Sequence, residues 1–442
     1  MKKTIMSIGL SSIFSFQPVW AMSTLSDEEL AKIDGQALFN LSYLAPGDAG
    51  NNETANNIGF YKLGIEAEIA ANLNIKKLQL GCGGINGVGK CDIDIDNFSL
   101  SGLGNSAAPL KSNTDSADDR AARVQSDAVL TNPFFQFAIK NPNTAATREV
   151  VGFRIGSEAA SGLLTFGTDN TDTPNGINSL SGYMSIGSAT GTANTLSRTM
   201  TKTDTGKNMT GRIIVTDVGG ATISFSSDTY NLTLSSAAAS VTTNPVVVTG
   251  NRMSSVHLNG TATIAPISFA GSMTATVLGF VDLQKNVTGS ISGLTATVPI
   301  DQNLGYIHKL PVNNPFSLSV QGQDLYWPGM AATSLKGWWM AFEDQIDIGS
   351  ISPADQVAIT NAVLSQALGP EGCSNGATPG INCALYATPI ACKAFGSPNC
   401  FGGNLPVGDV DITGTNVNFP LSNLRLGAQY FTPNCYGGLK FC

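Results

Sequence analysis

Charge is scarce in this chain. Asp, Glu, Lys and Arg make up 13% of its 442 residues, against a usual share of about 25%. The 24 basic residues are outnumbered by 32 acidic ones and form no cluster. That excludes a binder of nucleic-acid phosphates and docking on anionic lipid by charge alone. Histidine is almost missing: His257 and His308 are the only two, so a general base near neutral pH has few candidates. Both read as surface histidines in strand or loop context. The cysteines form no Cys-x-x-Cys pair, which argues against zinc. There is no Gly-x-Ser-x-Gly elbow at a strand–helix turn. Gly81–Gly87 is glycine-rich but follows no Rossmann unit and lacks a Walker lysine. No segment supplies the ~18 consecutive apolar residues of a membrane-spanning helix. Neither an enzyme nor a cofactor is expected.

What is present starts at the N-terminus. Lys2 and Lys3 precede an apolar run from Ile5 to Phe16, and Val19-Trp20-Ala21 puts small side chains where a signal peptidase cuts. Residues 1–21 therefore read as a bacterial signal peptide. The expected location is the cell surface, the outer membrane or the periplasm. Formal charge is −8, and −10 once Lys2 and Lys3 are removed. In an exported chain the eight cysteines, Cys82, Cys91, Cys373, Cys383, Cys392, Cys400, Cys435 and Cys442, read as disulfide partners. Cys82 and Cys91 stand alone in the N-terminal half, where a bridge would close a long hairpin.

Residues 22–40 form an amphipathic helical segment. Ser26 caps it, Glu29 completes a capping box, Leu25 and Leu30 occupy the staple positions, and Gly35 stops it. At about two turns such a helix is unstable alone and must dock on something. Residues 41–350 are β-rich, with room for two subdomains and a polar insert at 105–128 that has helical character around 118–129. Strand alternation runs through Gly64–Ile69, Leu73–Leu80 and Ile93–Ile95. It resumes at Phe134–Ile139, Val150–Gly156, Gly162–Phe166 and Ser179–Gly187. From Gly211 to Val320 short Thr/Val/Ser/Ile strands follow one another between Gly and Asn turns. Residues 351–442 begin with a helix capped by Ser352, with Pro353 at its first position and Val357, Leu364 and Leu368 on one face. A cysteine-rich region follows. The expected fold is mostly β: an elongated antiparallel sheet, sandwich or solenoid, with a few short helices and a disulfide-rich C-terminal region.

Two clusters invite a functional reading. Asp92, Asp94 and Asp96 suggest calcium, but an EF-hand loop needs Gly and Glu where Asn97 and Leu103 stand. The bland alternative is a solvated strand face. Trp327, Trp338 and Trp339 crowd a short stretch and could seat a partner. They could equally be a packing layer between the β-region and the Ser352 helix.

The opening Leu25–Leu30 with Gly35-Gln36, the block Asn132–Ala138 followed by Val150–Gly156, and Ser179–Met184 resemble the Fil-type pilus-assembly proteins of Gram-negative envelopes. The likeness covers roughly the first 190 residues. It implies a surface- or filament-associated role and no catalytic residues. The expected function is thus an exported envelope structural protein, a component or assembly factor of a surface filament, with an adhesive role open to it. Its partners would be other envelope or filament subunits, including copies of itself, and it would associate with the outer membrane without a transmembrane helix. Strand addition at a free sheet edge is the expected assembly mode. The alternative is an envelope lipid- or glycan-binding protein whose alternation from Ile264 to Ile300 lines an open apolar groove.

Overall fold

Alternating strands each leave one apolar face to bury, and this chain buries them in three sheets. The computed structural model describes residues 39–84, 87–103, 126–206, 208–277, 281–312, 316–351, 356–361, 389–400, 403–414, 416–422, 424–427 and 429. The first strands are β1 (Phe39–Leu44), β2 (Ile58–Ile65), β3 (Glu68–Ala71), β4 (Leu73–Leu80) and β5 (Ile93–Ser101). They are followed by β6 (Ala128–Lys140), β7 (Glu149–Thr165) and β8 (Ile177–Ile186). Next come β9 (Thr190–Asn194), β10 (Arg198–Thr201), β11 (Thr210–Val215), β12 (Ala221–Leu234) and β13 (Ala238–Thr243). The central run continues with β14 (Val246–Met253), β15 (Ser255–Ile264), β16 (Ile267–Val277), β17 (Val281–Ser292) and β18 (Thr295–Asn303). Then follow β19 (Lys309–Val312), β20 (Phe316–Gln321) and β21 (Gly337–Ile346). The last four are β22 (Ile390–Cys392), β23 (Asn404–Asp411), β24 (Asn416–Asn418) and β25 (Leu421–Ser422).

The first sheet runs β1-β2-β6-β7-β20-β21-β8-β5-β4, with β3 beside β6, β14 beside β8 and β19 beside β7. β7 is long enough to serve two neighbours on one edge. Its first part pairs with β6, and its end, Leu163–Thr165, pairs with Ser99–Ser101 of β5. Because β5 also pairs with β8, the path β7-β20-β21-β8-β5 returns to β7 and the sheet is nearly closed.

The other two sheets are one set of strands folded over. In the second, β10, β12, β16, β17 and β23 lie in that order, with β11 also beside β12 and β22 beyond it. In the third, β9, β13, β15, β18 and β24 lie in the matching order. Each pair, β9/β10, β12/β13, β15/β16, β17/β18 and β23/β24, is one excursion of chain bent at a short corner. The corners bond to one another: Ser235 N donates to Ser268 O (2.9 Å), Ala265 N to Ala238 O (2.8 Å) and Ile264 N to Leu294 O (3.1 Å). Between the layers lie Leu232, Phe269, Met273, Val287 and Ile291 from one side and Val241, Leu258, Ile264, Val298 and Ile300 from the other. β15 alternates exposed and buried along its whole length, which is the pattern of a strand with one wet and one dry face.

The mostly-β expectation holds. Among the described residues, the inward side chains between Ile264 and Ile300, such as Ile267, Phe269, Met273, Val287, Ile291 and Val298, lie inside this core. Among the described residues two disulfides are formed, Cys82–Cys91 across the β4–β5 connection and Cys392–Cys400 in the C-terminal region. Cys373, Cys383, Cys435 and Cys442 lie outside the described residues, as do residues 1–38, on which the expected signal peptide and N-terminal helical segment fall. So does most of the polar insert.

Three details differ from expectation. Val150–Gly156 and Gly162–Thr165 are one strand, because Ser157, Ala159, Ala160 and Ser161 between them keep pairing with β6. Ala128 and Val129 open β6 rather than belonging to a helical stretch. Val357 is not on a helix: its N–H donates to Asn194 O (2.9 Å) and its carbonyl accepts from Leu196 N (2.8 Å), a parallel bridge to the β9 end. Pairing with a sheet edge overrides the local helical signal there, while Ser352, Pro353, Leu364 and Leu368 fall outside the described residues. Residues 404–422 supply strands to both folded layers. Among the described residues no helix is long and apolar enough to cross a membrane.

Replacing Cys82 with Ser should cost about 2–3 kcal/mol, the chain-entropy value for so short a loop. Thermal melting and limited proteolysis should show the β4–β5 hairpin loosened; unchanged protease resistance would count against a stabilising role for that bridge.

Candidate functional site

The acidic strand divides. Asp92 is buried, and its carboxylate accepts the Trp338 backbone N–H at 3.0 Å. Gly81 and Gly337, both with positive φ, leave room for that carboxylate, since a Cβ on either would collide with it. Asp92 therefore ties the β4–β5 hairpin to β21. Asp94 and Asp96 lie on the open face, where Lys77 Nζ reaches them at 2.5 and 2.9 Å. The Asn178 amide also donates to both, at 3.1 and 2.7 Å, and Gln79 donates to Asp94 at 2.9 Å. Partial burial raises the Asp94 pKa, but the bonds from Lys77, Gln79 and Asn178 outweigh it and hold the group below its ordinary value. A lysine ammonium thus stands where a bound cation would be.

The tryptophans serve a lid. Residues 322–336 join β20 to β21 and fold back over the sheet. Leu325 and Ser334 bond each other's backbone at 2.9 and 2.8 Å. Trp327 is fully buried against Phe60, ring centroids 5.5 Å apart. Trp339 is buried in the same cluster with Ile58, Ala138, Val151 and Ala341. Trp338 is half-buried against the main core. Trp327 and Trp339 thus pack the lid on the sheet. Polar bonds hold the lid from below: Arg154 Nη1 donates to Pro328 O (3.1 Å), and Glu343 Oε2 accepts from Ala331 N (3.2 Å). Glu53 Oε1 accepts from Tyr326 N (2.6 Å). Burial pushes the Arg154 pKa down to about 10, with Glu343 opposing, and burial pushes Glu343 up. The Phe134 ring is flanked by two cations, Lys62 at 4.6 Å and Arg154 at 5.2 Å.

The two histidines also divide. His257 is exposed and faces Asp301 across the β15–β18 pair. His308 is not a surface residue: it is fully buried, with Nδ1 3.0 Å from Phe166 O, and burial lowers its pKa. The C-terminal Gln429 folds back to accept both the His308 and Lys309 backbone N–H groups at 2.8 Å, a contact no local sequence pattern announces.

The remaining candidate is a surface. Among the described residues β1 pairs only with β2, so its outer edge is free. Two apolar rows cross the sheet from that edge. One runs Leu41-Leu63-Phe135-Ile155-Leu318-Met340, the other Tyr43-Tyr61-Phe137-Phe153-Val320-Trp338. Burial grades along the first row, from Leu41 at 74% exposed through Phe135 at 42% to Met340 at 1%. Tyr43 stacks on Tyr61 at 4.2 Å, and Phe153 meets Phe137 at 5.1 Å. Near β1 the opposite face carries a polar hollow of about 450 Å³ lined by Asn40, Ser42, Lys62, Glu66, Asn132 and Glu158, while farther along the same strands it carries the buried cluster under the lid. In the hollow Lys62 bonds Glu158 at 2.6 Å. The run Phe134-Phe135-Gln136-Phe137-Ala138-Ile139 carried the signal for this surface, because apolar residues at successive positions put apolar side chains on both faces of a strand.

No family model, curated protein or solved structure matches this chain.

Two outcomes follow. Trp327→Ala should cost about 3–5 kcal/mol, as for large-to-small aromatic changes in cores, read by denaturant unfolding. Lys77→Met should cost no more than about 1 kcal/mol near neutral pH, since the pair is partly exposed. Asp94 has a depressed folded pKa, so its contribution is present above the unfolded value of about 3.9 and fades as pH falls through the lower folded value. The stability difference between Lys77→Met and the unaltered chain should close over that acid window; a constant difference would show that the lysine acts by packing alone.

Proposed function

We propose that this chain is an exported structural protein of the cell envelope, a component or assembly factor of a surface filament, that meets its neighbours by strand addition at β1. The observation that carries the reading is the free edge of β1. An exposed edge offers a row of N–H and C=O groups that a strand from another chain completes. Among the described residues no strand covers this edge, and Phe39–Leu44 contains no proline and no charged side chain. The two disulfides suit an oxidising compartment outside the cytoplasm. Surfaces of Thr, Ser and Asn on the folded layers suit a protein that presents area rather than titratable groups.

Immunogold electron microscopy of intact cells tests the reading, comparing the unaltered chain with Leu41→Lys. Leu41 is highly exposed, so the substitution should leave melting unchanged while adding an edge charge. Label along filaments, reduced several-fold by Leu41→Lys, is the expected result. Label seen only after permeabilisation would overturn the surface role.

A further inference from the structure

An edge completed by a copy of itself obeys a rule that an edge meeting a foreign strand does not. Two identical strands pair antiparallel about a two-fold axis, so the residue on the axis meets its own duplicate. A charge there repels itself. Side chains must also meet on matching faces, because the pleat alternates at every residue.

β1 satisfies these conditions. Phe39, Leu41 and Tyr43 alternate with Asn40, Ser42 and Leu44, so the two sets lie on opposite faces. Two axes keep matching faces together along most of the strand. An axis at Ser42 sets Asn40 of one copy against Leu44 of the other. An axis at Leu41 sets Leu41 against Leu41, Phe39 against Tyr43 and Asn40 against Ser42, apolar on apolar and polar on polar. No charge stands on the strand. On its polar face Lys62, opposite Ser42 on β2, is paired with Glu158. Other sheet edges among the described residues do carry charge: Lys76 and Lys77 on β4, Arg198 on β10 and Arg252 on β14. The apolar side chains of β1 are also those such pairing would cover, with Leu41 74%, Phe39 57% and Tyr43 39% exposed.

We propose that β1 pairs antiparallel with β1 of a second copy, about a two-fold axis through Leu41. The apolar row Ile155-Phe135-Leu63-Leu41 of one copy then runs on into the same row of the other. Such pairing occupies both edges at once and closes. β1 therefore makes a dimer, and growth beyond the dimer falls to another surface. The six residues of β1 give ~20 Å of edge by about 10 Å of sheet thickness, on the order of 200 Å². That is well below the ~800 Å² per partner of a standard interface, so the dimer is reversible and depends on concentration. The proposal rests on the reading of β1 as the assembly edge and names the strand that meets it.

Sedimentation velocity of purified chain over a concentration series tests it, with Leu41→Lys, Leu41→Glu and an equimolar mixture of the two. The unaltered chain should pass from monomer to dimer as concentration rises. Each variant alone should dimerise several-fold more weakly with melting unchanged, because like charges meet on the axis. The mixture should recover the dimer, because Lys then meets Glu. A chain that stays monomeric, or a mixture no better than either variant alone, would overturn the proposal. The two readings fail separately. Monomers in solution with label still running along filaments would sink the self-pairing alone. A dimer rescued by the mixture, with label confined inside the envelope, would sink the filament role alone.

Discussion

Everything in this fold depends on one constraint: long alternating strands with a hydroxyl-rich face and an apolar face must find a second layer for the apolar one. With almost no helix to provide it, the chain makes the second layer from the same strands. Each excursion bends at a corner of a few residues, and the two halves of a bent sheet face each other. The corners are bonded backbone to backbone, as at Ser235 with Ser268 and Ala265 with Ala238, so the bend costs few hydrogen bonds. The core that results, from Leu232 and Phe269 to Val298 and Ile300, is continuous with that of the first sheet.

The first sheet solves the same problem differently. β7 has enough length to pair with β6 and then with β5, which brings the sheet nearly full circle and leaves it apolar on both faces. One face joins the main core. The other is divided: the β20–β21 side lies under the 322–336 lid, and the β1–β2 side carries a polar hollow. The lid explains why Arg154 and Glu343 are retained in a buried site. Each bonds lid backbone, and each lowers the other's desolvation cost through opposite charge.

The β1 region stands apart from this pattern of closure. Elsewhere edges are short, as with β24 and β25, or charged, as with Lys76 and Lys77 on β4. Among the described residues, β1 places an uncharged edge and an aromatic face next to each other, a combination that invites pairing with other strands. A free edge and a free face ask for different occupants.

Local chemistry made several features legible in advance. Period-two alternation placed most strands, because a half-buried strand needs it. The nine-residue spacing of Cys82 and Cys91 around a glycine-rich turn placed their bridge. Other features were decided only by tertiary structure, since they join residues far apart in the chain. Whether Trp327 and Trp339 seat a partner or a lid depended on how residues 322–336 fold back. His308 is buried because Gln429 and Phe166 close over it. Val357 is extended because the end of β9 offers it hydrogen bonds that outweigh a helical propensity. Asp92 separates from Asp94 and Asp96 because two glycines admit its carboxylate to the interior. The alternation determined that this chain forms sheets; which strand edges and faces remain open was decided by register and closure, which no local window contains.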